Sequence, residues 1–430
     1  MPLGISKMNS LARSGGDLPD FFTSDNPRQL EYDATVGFGQ MEFIGFDGGA
    51  QKDALVVTSA ISTNNRPLFM YYQIIGSSSN LSNNSPNGSY SFGGYEIENV
   101  DNGGVYPLIA SPSRGANYGS AAQSASTLYF TTAIRTGSAT RIRNMTAAIT
   151  NGSSVSFTRG TNHTTLNWES TNDTYDWAMD STGTDTAVMF ARSDNTGNHK
   201  TLLFSDTMSS TTPSTYTTTE SNTPYGDNTR YRVLGLADGG CDYRGVYMAS
   251  GTEPFASFFS YNGTTRTTSD AGQISKTDDT DSVPLICRIG ASKVVYGIYA
   301  PSTDKMYIRV ASHSWGGSCA TGTTTTGTEI EFDAQDGGQL IDAFEDDKFY
   351  VVQYSNSSSK VKIRTFTVDG TDISELGSGQ QFNGYYTPSA DVYKKNAATK
   401  IDYDSTHQFI MVAYQAGGGR PAVRLFRLNT

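Results

Sequence analysis

The chain has 430 residues, of which 36% are hydrophobic and only 17% charged, with 44 Gly, 14 Pro, 25 Tyr and 21 Phe. Aromatic residues spread through short apolar runs exclude a mainly disordered chain, and no run approaches the roughly 18 apolar residues that a transmembrane helix requires. A formal charge of −11 and a pI near 4.9 exclude the basic stripe by which a protein takes nucleic acid or an anionic membrane as its main partner. Gly, Ser, Thr and Asn make up the shortfall in charge, and they favour turns and strands over helices.

The start, Met1-Pro2-Leu3-Gly4-Ile5-Ser6-Lys7-Met8, has no apolar stretch of signal-peptide length, which points to synthesis and folding in a cytosol. Residues 1–28 show no clean period of 2 or 3.6 and read as an extended docking arm ahead of one domain over residues 29–430. From there a strand triplet recurs: a short apolar strand, a tight turn, a strand ending in Tyr or Ala, a polar turn, and a third strand. Weaker copies start near Met41, Tyr106, Asp176 and Tyr231, with second strands at residues 55–57, 128–130, 187–190 and 245–248. Three clear copies follow, with second strands at residues 293–299, 348–354 and 408–414. In their third strands, Ile308-Arg309, Ile363-Arg364 and Val423-Arg424 each set a β-branched residue directly before Arg. Asn151-Gly152, Asn262-Gly263 and Asp369-Gly370 supply the positive φ angles of hairpin turns, and several of them lead into a fourth strand.

Seven copies result, spaced by about 50 to 70 residues, and the last one stops after three strands. Gln29-Leu30-Glu31-Tyr32-Asp33-Ala34 has no triplet of its own and matches Glu329-Ile330-Glu331-Phe332-Asp333-Ala334, the fourth strand of the fifth copy. The expected fold is therefore all-β: a seven-bladed β-propeller of four-stranded antiparallel blades, with the N-terminal strand completing the last blade and closing the ring. A β-sandwich needs no such circular offset and ranks second. Six or eight blades stay open, because the upstream copies are degenerate.

Residues with catalytic potential are sparse. The four His, at 163, 199, 313 and 407, form no metalloprotease pair, and neither a serine-nucleophile elbow nor a phosphate-binding glycine loop occurs. Cys241, Cys287 and Cys319 are odd in number and lack metal-ligand spacing, so they read as buried free thiols, with no metal and no cofactor implied. Asp176, Asp180, Asp342, Asp402 and Asp404 recur in or just after first strands; they read first as turn caps, and as a channel-lining acid ring only second. Arg309, Arg364, Arg424 and Arg143 share one strand position and are expected to pair with acidic neighbours on the adjacent blade. Two tryptophans are the candidate ligand-binding residues. Trp168 lies in an interblade loop, and Trp315 in a Gly-rich hairpin expected to be exposed, where an aromatic beside polar groups suits stacking on a sugar ring.

The degenerate strand–turn–strand repeat with its Val368-Asp369-Gly370-Thr371 turn, the low charge and the Ser/Thr/Asn/Gly-rich loops resemble the propeller-type repeats of tailed-bacteriophage virion proteins. The resemblance implies a non-enzymatic virion component, tail or fibre associated and present in several copies. Such a component would be made in the host cytoplasm, would contact other virion proteins and would adsorb to a host surface glycan or receptor. A lectin-like carbohydrate-binding propeller is the alternative, and a polysaccharide hydrolase or lyase working through channel carboxylates the second.

Overall fold

A computed structural model describes the strands between Gln29 and Leu428, and side chains mainly over residues 232–383 together with Ile410 and Val412. Residues 1–28, residues 32–34 of the segment matched to the fifth copy, Trp168, Asp176, Ser318, Thr321 and Asp404 are among those that lie outside the described residues.

Short Val-, Ile- and Tyr-rich segments broken by Gly, Asn and Asp can satisfy their backbone groups only by pairing with neighbouring segments, and here they do so antiparallel throughout. Strand β1 (Gln29–Glu31) comes first. One sheet holds β2 (Met41–Asp47), β3 (Lys52–Thr58), β4 (Leu68–Ile74) and β5 (Tyr95–Glu96). The next holds β6 (Leu108–Ala110), β7 (Gln123–Ser124), β8 (Thr127–Thr136), β9 (Ala139–Thr150) and β10 (Ser154–Asn167). A third is β11 (Trp177–Ser181), β12 (Thr186–Arg192), β13 (Asn198–Ser205) and β14 (Ser214–Thr219). A fourth is β15 (Tyr231–Leu236), β16 (Tyr243–Ala249), β17 (Phe255–Asn262) and β18 (Thr265–Gln273). The fifth comprises β19 (Val283–Ile289), β20 (Lys293–Ala300), β21 (Lys305–Ser314), β22 (Thr323–Thr326) and β23 (Ile330–Asp333). The sixth is β24 (Gln339–Glu345), β25 (Lys348–Ser355), β26 (Lys360–Asp369) and β27 (Asp372–Asn383). In the last, β28 (Ala398–Asp402), β29 (Gln408–Ala416) and β30 (Arg420–Leu428) are joined by β1, whose Gln29, Leu30 and Glu31 lie opposite Arg424, Val423 and Ala422.

Turn chemistry sets the register. Asn262 pairs with Thr265 across the Asn-Gly turn of β17 and β18, and Asp369 pairs with Asp372 around Gly370, whose φ of +62° is the left-handed conformation such a turn demands. The outer strand of the fifth sheet differs from the expected single segment. Both β22 and β23 pair with β21, and between them Gly327 donates its N–H to Val310 O at 2.9 Å. A Cβ on Gly327 would stand 2.1 Å from Thr371 O, so the break also lets the next sheet approach. The Thr323–Thr326 run carries no apolar alternation, which is why the sequence pattern did not mark it as a strand.

First strands lie side by side: β6 with β11, β11 with β15, β15 with β19, β19 with β24, β24 with β28, and β28 with β2. Among the described residues, cores fill the gaps between the fourth and fifth and between the fifth and sixth sheets. Val246, Met248 and Phe258 meet Val294, Tyr296 and Ile298 in one cluster, while Val295, Ile308 and Val310 meet Ile341, Phe349 and Val351 in the next. Strand β20 is consequently buried along nearly its whole length rather than on alternate residues, since it has a sheet on each face. Each of these apolar side chains contributes about 1.5–3 kcal/mol on burial. Radially stacked four- and five-stranded antiparallel sheets of this kind are a β-propeller arrangement.

Candidate functional site

Trp315 follows the last residue of β21, at the start of a loop over residues 315–322 that returns into β22. The loop is glycine-rich for a physical reason. Gly317 takes φ +77°, and a Cβ on Gly322 would fall 1.8 Å from Ser314 O. Ser314, Gly316 and Gly317 are exposed, but Trp315 itself is half-buried rather than fully exposed as its Gly-rich context suggests. The guanidinium carbon of Arg244, on β16 of the neighbouring sheet, sits 4.7 Å from the indole centroid. The indole meets His313 edge-on at 4.3 Å and Phe258 edge-on at 6.3 Å.

Beneath it, His313 stacks on Phe258 at 4.5 Å and is 1% exposed. Its Nδ1 lies 2.8 Å from Thr324 Oγ1, while Nε2 is buried with no hydrogen-bond partner. An orphaned ring nitrogen costs least as a bare lone pair, which puts the proton on Nδ1 and makes Thr324 Oγ1 its acceptor. Burial, reinforced by the Arg244 charge, lowers the His313 pKa to about 4, so the ring is neutral at ordinary pH.

Contacts from the neighbouring sheet hold the middle of the loop. Arg244 Nη2 donates to Gly317 O at 2.8 Å, and Ser260 Oγ, on β17, donates to Cys319 O at 3.4 Å. Cys319 is joined to Cys241 by a disulfide spanning 78 residues, with Cα atoms 5.4 Å apart. The expectation of three free thiols is therefore corrected: only Cys287 is free, and it is buried. A clue was present in the sequence. Cys241 directly follows Gly239-Gly240 and Cys319 comes two residues after Gly317 of the Gly316-Gly317 pair, whereas Cys287 sits in the apolar strand Val283–Ile289. Spacing alone gives no sign that two such turns meet.

The recurring arginines also behave differently from expectation. Arg309 donates through Nη1 to Gln273 O at 2.7 Å, and Arg364 through Nη1 to Asp333 O at 3.1 Å, so each reaches the preceding sheet at a backbone carbonyl, not a carboxylate. The acid that Arg364 pairs with, Glu375, is on its own sheet, with Nε to Oε1 at 2.6 Å. These guanidiniums are engaged between sheets and form no open basic patch. The side chains of Arg143 and Arg424 lie outside the described residues.

Among the candidate acids, Asp342 lies in β24 and is occupied locally. Its Oδ1 accepts from Ala343 N at 2.9 Å, and its Oδ2 from Tyr350 O–H at 3.3 Å. Asp180 and Asp402 are in β11 and β28, with side chains outside the described residues. Among the described residues, no group of three or more His, Cys, Asp or Glu could hold a metal ion. Trp168, the other candidate ligand residue, lies outside the described residues. What the structure does assemble is one immobilised indole capped by a cation and rimmed by exposed glycine and serine backbone.

No protein-family model and no curated protein sequence matches the chain. Solved structures do resemble it. A triple arginine-to-alanine mutant of AofleA from Arthrobotrys oligospora aligns at 8% identity and a TM-score of 0.46, covering 83% of this chain and 92% of that one. A mutant of Trypanosoma rangeli sialidase displaying trans-sialidase activity aligns at 10% identity and 0.42, covering 96% of this chain and 58% of that one. The WD40 domain of SCAP from fission yeast aligns at 6% identity and 0.40, covering 94% and 98%. The expectation of a structural component of a tailed-phage virion is corrected by this: the similar structures named here are of these kinds, and none of the three belongs to a phage particle.

Proposed function

We propose that the chain is a closed seven-bladed propeller, completed by β1 on β30, that binds a carbohydrate at the Trp315 rim without transforming it. The observation that carries the reading is the fixation of Trp315. The indole is packed on His313 and Phe258, capped by Arg244, and set on a loop covalently tied to the neighbouring sheet. A rigid amphipathic aromatic loses little entropy on binding, which is the requirement for stacking on the apolar face of a sugar ring. Gly316 and Ser314 are exposed beside it and offer polar groups to sugar hydroxyls. The two acids whose side chains are described in a first strand, Asp342 and Glu345, are both committed to their own sheet, Asp342 to Ala343 N and Tyr350 and Glu345 to Lys348, which favours binding over hydrolysis.

The test is a glycan panel followed by titration calorimetry on the best ligand, with Trp315→Ala and Trp168→Ala variants. The expected result is a saturable glycan complex that Trp315→Ala weakens by tenfold or more while the far-ultraviolet spectrum holds and the protein stays folded at the assay temperature. Absence of any glycan bound, or a Trp315→Ala protein that binds as the parent does, overturns the assignment.

A further inference from the structure

We infer that the segment carrying Trp315, Gly317 and Cys319 between β21 and β22 is a redox-controlled element, clamped onto the neighbouring sheet when Cys241–Cys319 is oxidised and released when a dithiol reduces it. The loop grows out of β21 and β22, yet the described tethers of its middle come from elsewhere: Cys241, Arg244 on β16 and Ser260 on β17. Of these, the disulfide is the only covalent one. Ser260 to Cys319 O at 3.4 Å is a long hydrogen bond, and Arg244 holds Gly317 O and the indole face through non-covalent contacts. Cys319 itself stands at φ +58°, a left-handed conformation that a non-glycine residue keeps only when its surroundings impose it. Two flanking glycines, Gly316 and Gly317, give the segment freedom to leave once the bridge opens.

The chemistry has an accessible entry. Cys319 is half-buried while Cys241 is buried, so an external thiolate attacks Cys319 Sγ. The old S–S bond breaks, Cys241 leaves as thiolate and takes a proton, and a mixed disulfide remains on Cys319. The second thiol of the reductant then attacks the reductant's own sulfur in that mixed bond, closing a cyclic disulfide. Cys319 departs as thiolate and is protonated. Two electrons pass from the dithiol to the bridge, and the reductant is the species oxidised. In a reducing cytosol the loop is consequently released, and in an oxidising compartment it is clamped. Loop release stands on these contacts alone, and only its consequence for ligand affinity rests on the carbohydrate reading.

The experiment is hydrogen exchange resolved to peptides, on the full chain purified oxidised and then treated with dithiothreitol, with thiols counted in denaturant at each stage. One thiol before reduction and three after are expected, with exchange of residues 315–322 rising at least tenfold while β16, β17 and β21 stay protected. A Cys241→Ser/Cys319→Ser variant should show the released pattern without reductant, and Cys287→Ser should keep the clamped one. Three thiols in the oxidised protein, or unchanged loop exchange on complete reduction, overturns the inference. So does loss of protection throughout the fourth and fifth sheets, which would make the bridge a general staple. Because exchange is read without a sugar, these outcomes are independent of whether Trp315 binds one.

Discussion

Arg364 offers the sharpest test of how adjacent sheets are held together. Its side chain is 10% exposed and engages four groups at once: Glu375 through two N–H donors, Asp333 O at 3.1 Å, and the rings of Phe332 and Phe366 with the guanidinium carbon 4.3 and 5.6 Å from their centroids. Replacing it by Ala removes a bidentate ion pair to a carboxylate that is 33% exposed, worth about 1 kcal/mol after solvent screening. It also removes a cation–π contact worth about 0.5–1 kcal/mol and a buried aliphatic stem worth about 1 kcal/mol. The penalty for an orphaned acceptor does not arise, because Asp333 O keeps the Gln353 Nε2 donor at 3.1 Å and Glu375 faces water. The expected cost of Arg364→Ala is therefore about 2–3 kcal/mol, read as a lower urea midpoint by circular dichroism. Arg364→Met, which keeps the stem, should recover about a third of it. An Arg364→Ala/Glu375→Ala cycle should give a coupling of about 1 kcal/mol. A loss under about 0.5 kcal/mol for the alanine variant, or equal losses for Ala and Met, would refute the interpretation of this arginine as an intersheet clamp.

Three further outcomes follow from the same packing. Gly297→Ala places a Cβ 2.0 Å from Tyr307 O and 2.8 Å from Ile308 Cα, both backbone atoms of the paired strand, so it should cost about 3 kcal/mol or more and is checked by thermal melting. The neutral, buried His313 makes stability acid-sensitive: its folded pKa of about 4 lies below the unfolded value near 6.5, so its contribution is complete above pH 6.5 and lost as pH falls towards 4. Taken whole, that shift is worth about 3 kcal/mol. The ring lies directly beneath a surface loop, and screening discounts this to about 1–2 kcal/mol, which His313→Gln should remove from the pH dependence of the urea midpoint. Cys287 is held well above the usual thiol pKa by burial, with Asp342 adding to it, so it should resist Ellman's reagent in the native state and react fully in denaturant.

Local chemistry carried much of the fold. Short runs rich in Val, Ile, Tyr and Phe such as residues 293–299 and 348–354, and Asn-Gly and Asp-Gly turns such as Asn262-Gly263 and Asp369-Gly370, specify antiparallel strands and hairpins because strand propensity and positive φ are properties of a few adjacent residues; the runs are β20 and β25, and the turns join β17 to β18 and β26 to β27. The same logic placed Trp315 in a glycine-rich turn. Where the chain departs from alternation, as in the all-threonine strand Thr323–Thr326, local pattern was silent. Tertiary structure alone decided the rest. Which carbonyl Arg309 and Arg364 reach, which sheet covers the second face of β20, and that Arg244 closes over Trp315 depend on residues far apart in sequence. The pairing of Cys241 with Cys319 across 78 residues is the clearest case: two cysteines in separate glycine turns have no mutual signature until adjacent sheets bring their Cα atoms to 5.4 Å, since a disulfide is decided by distance and orientation in space rather than by spacing along the chain.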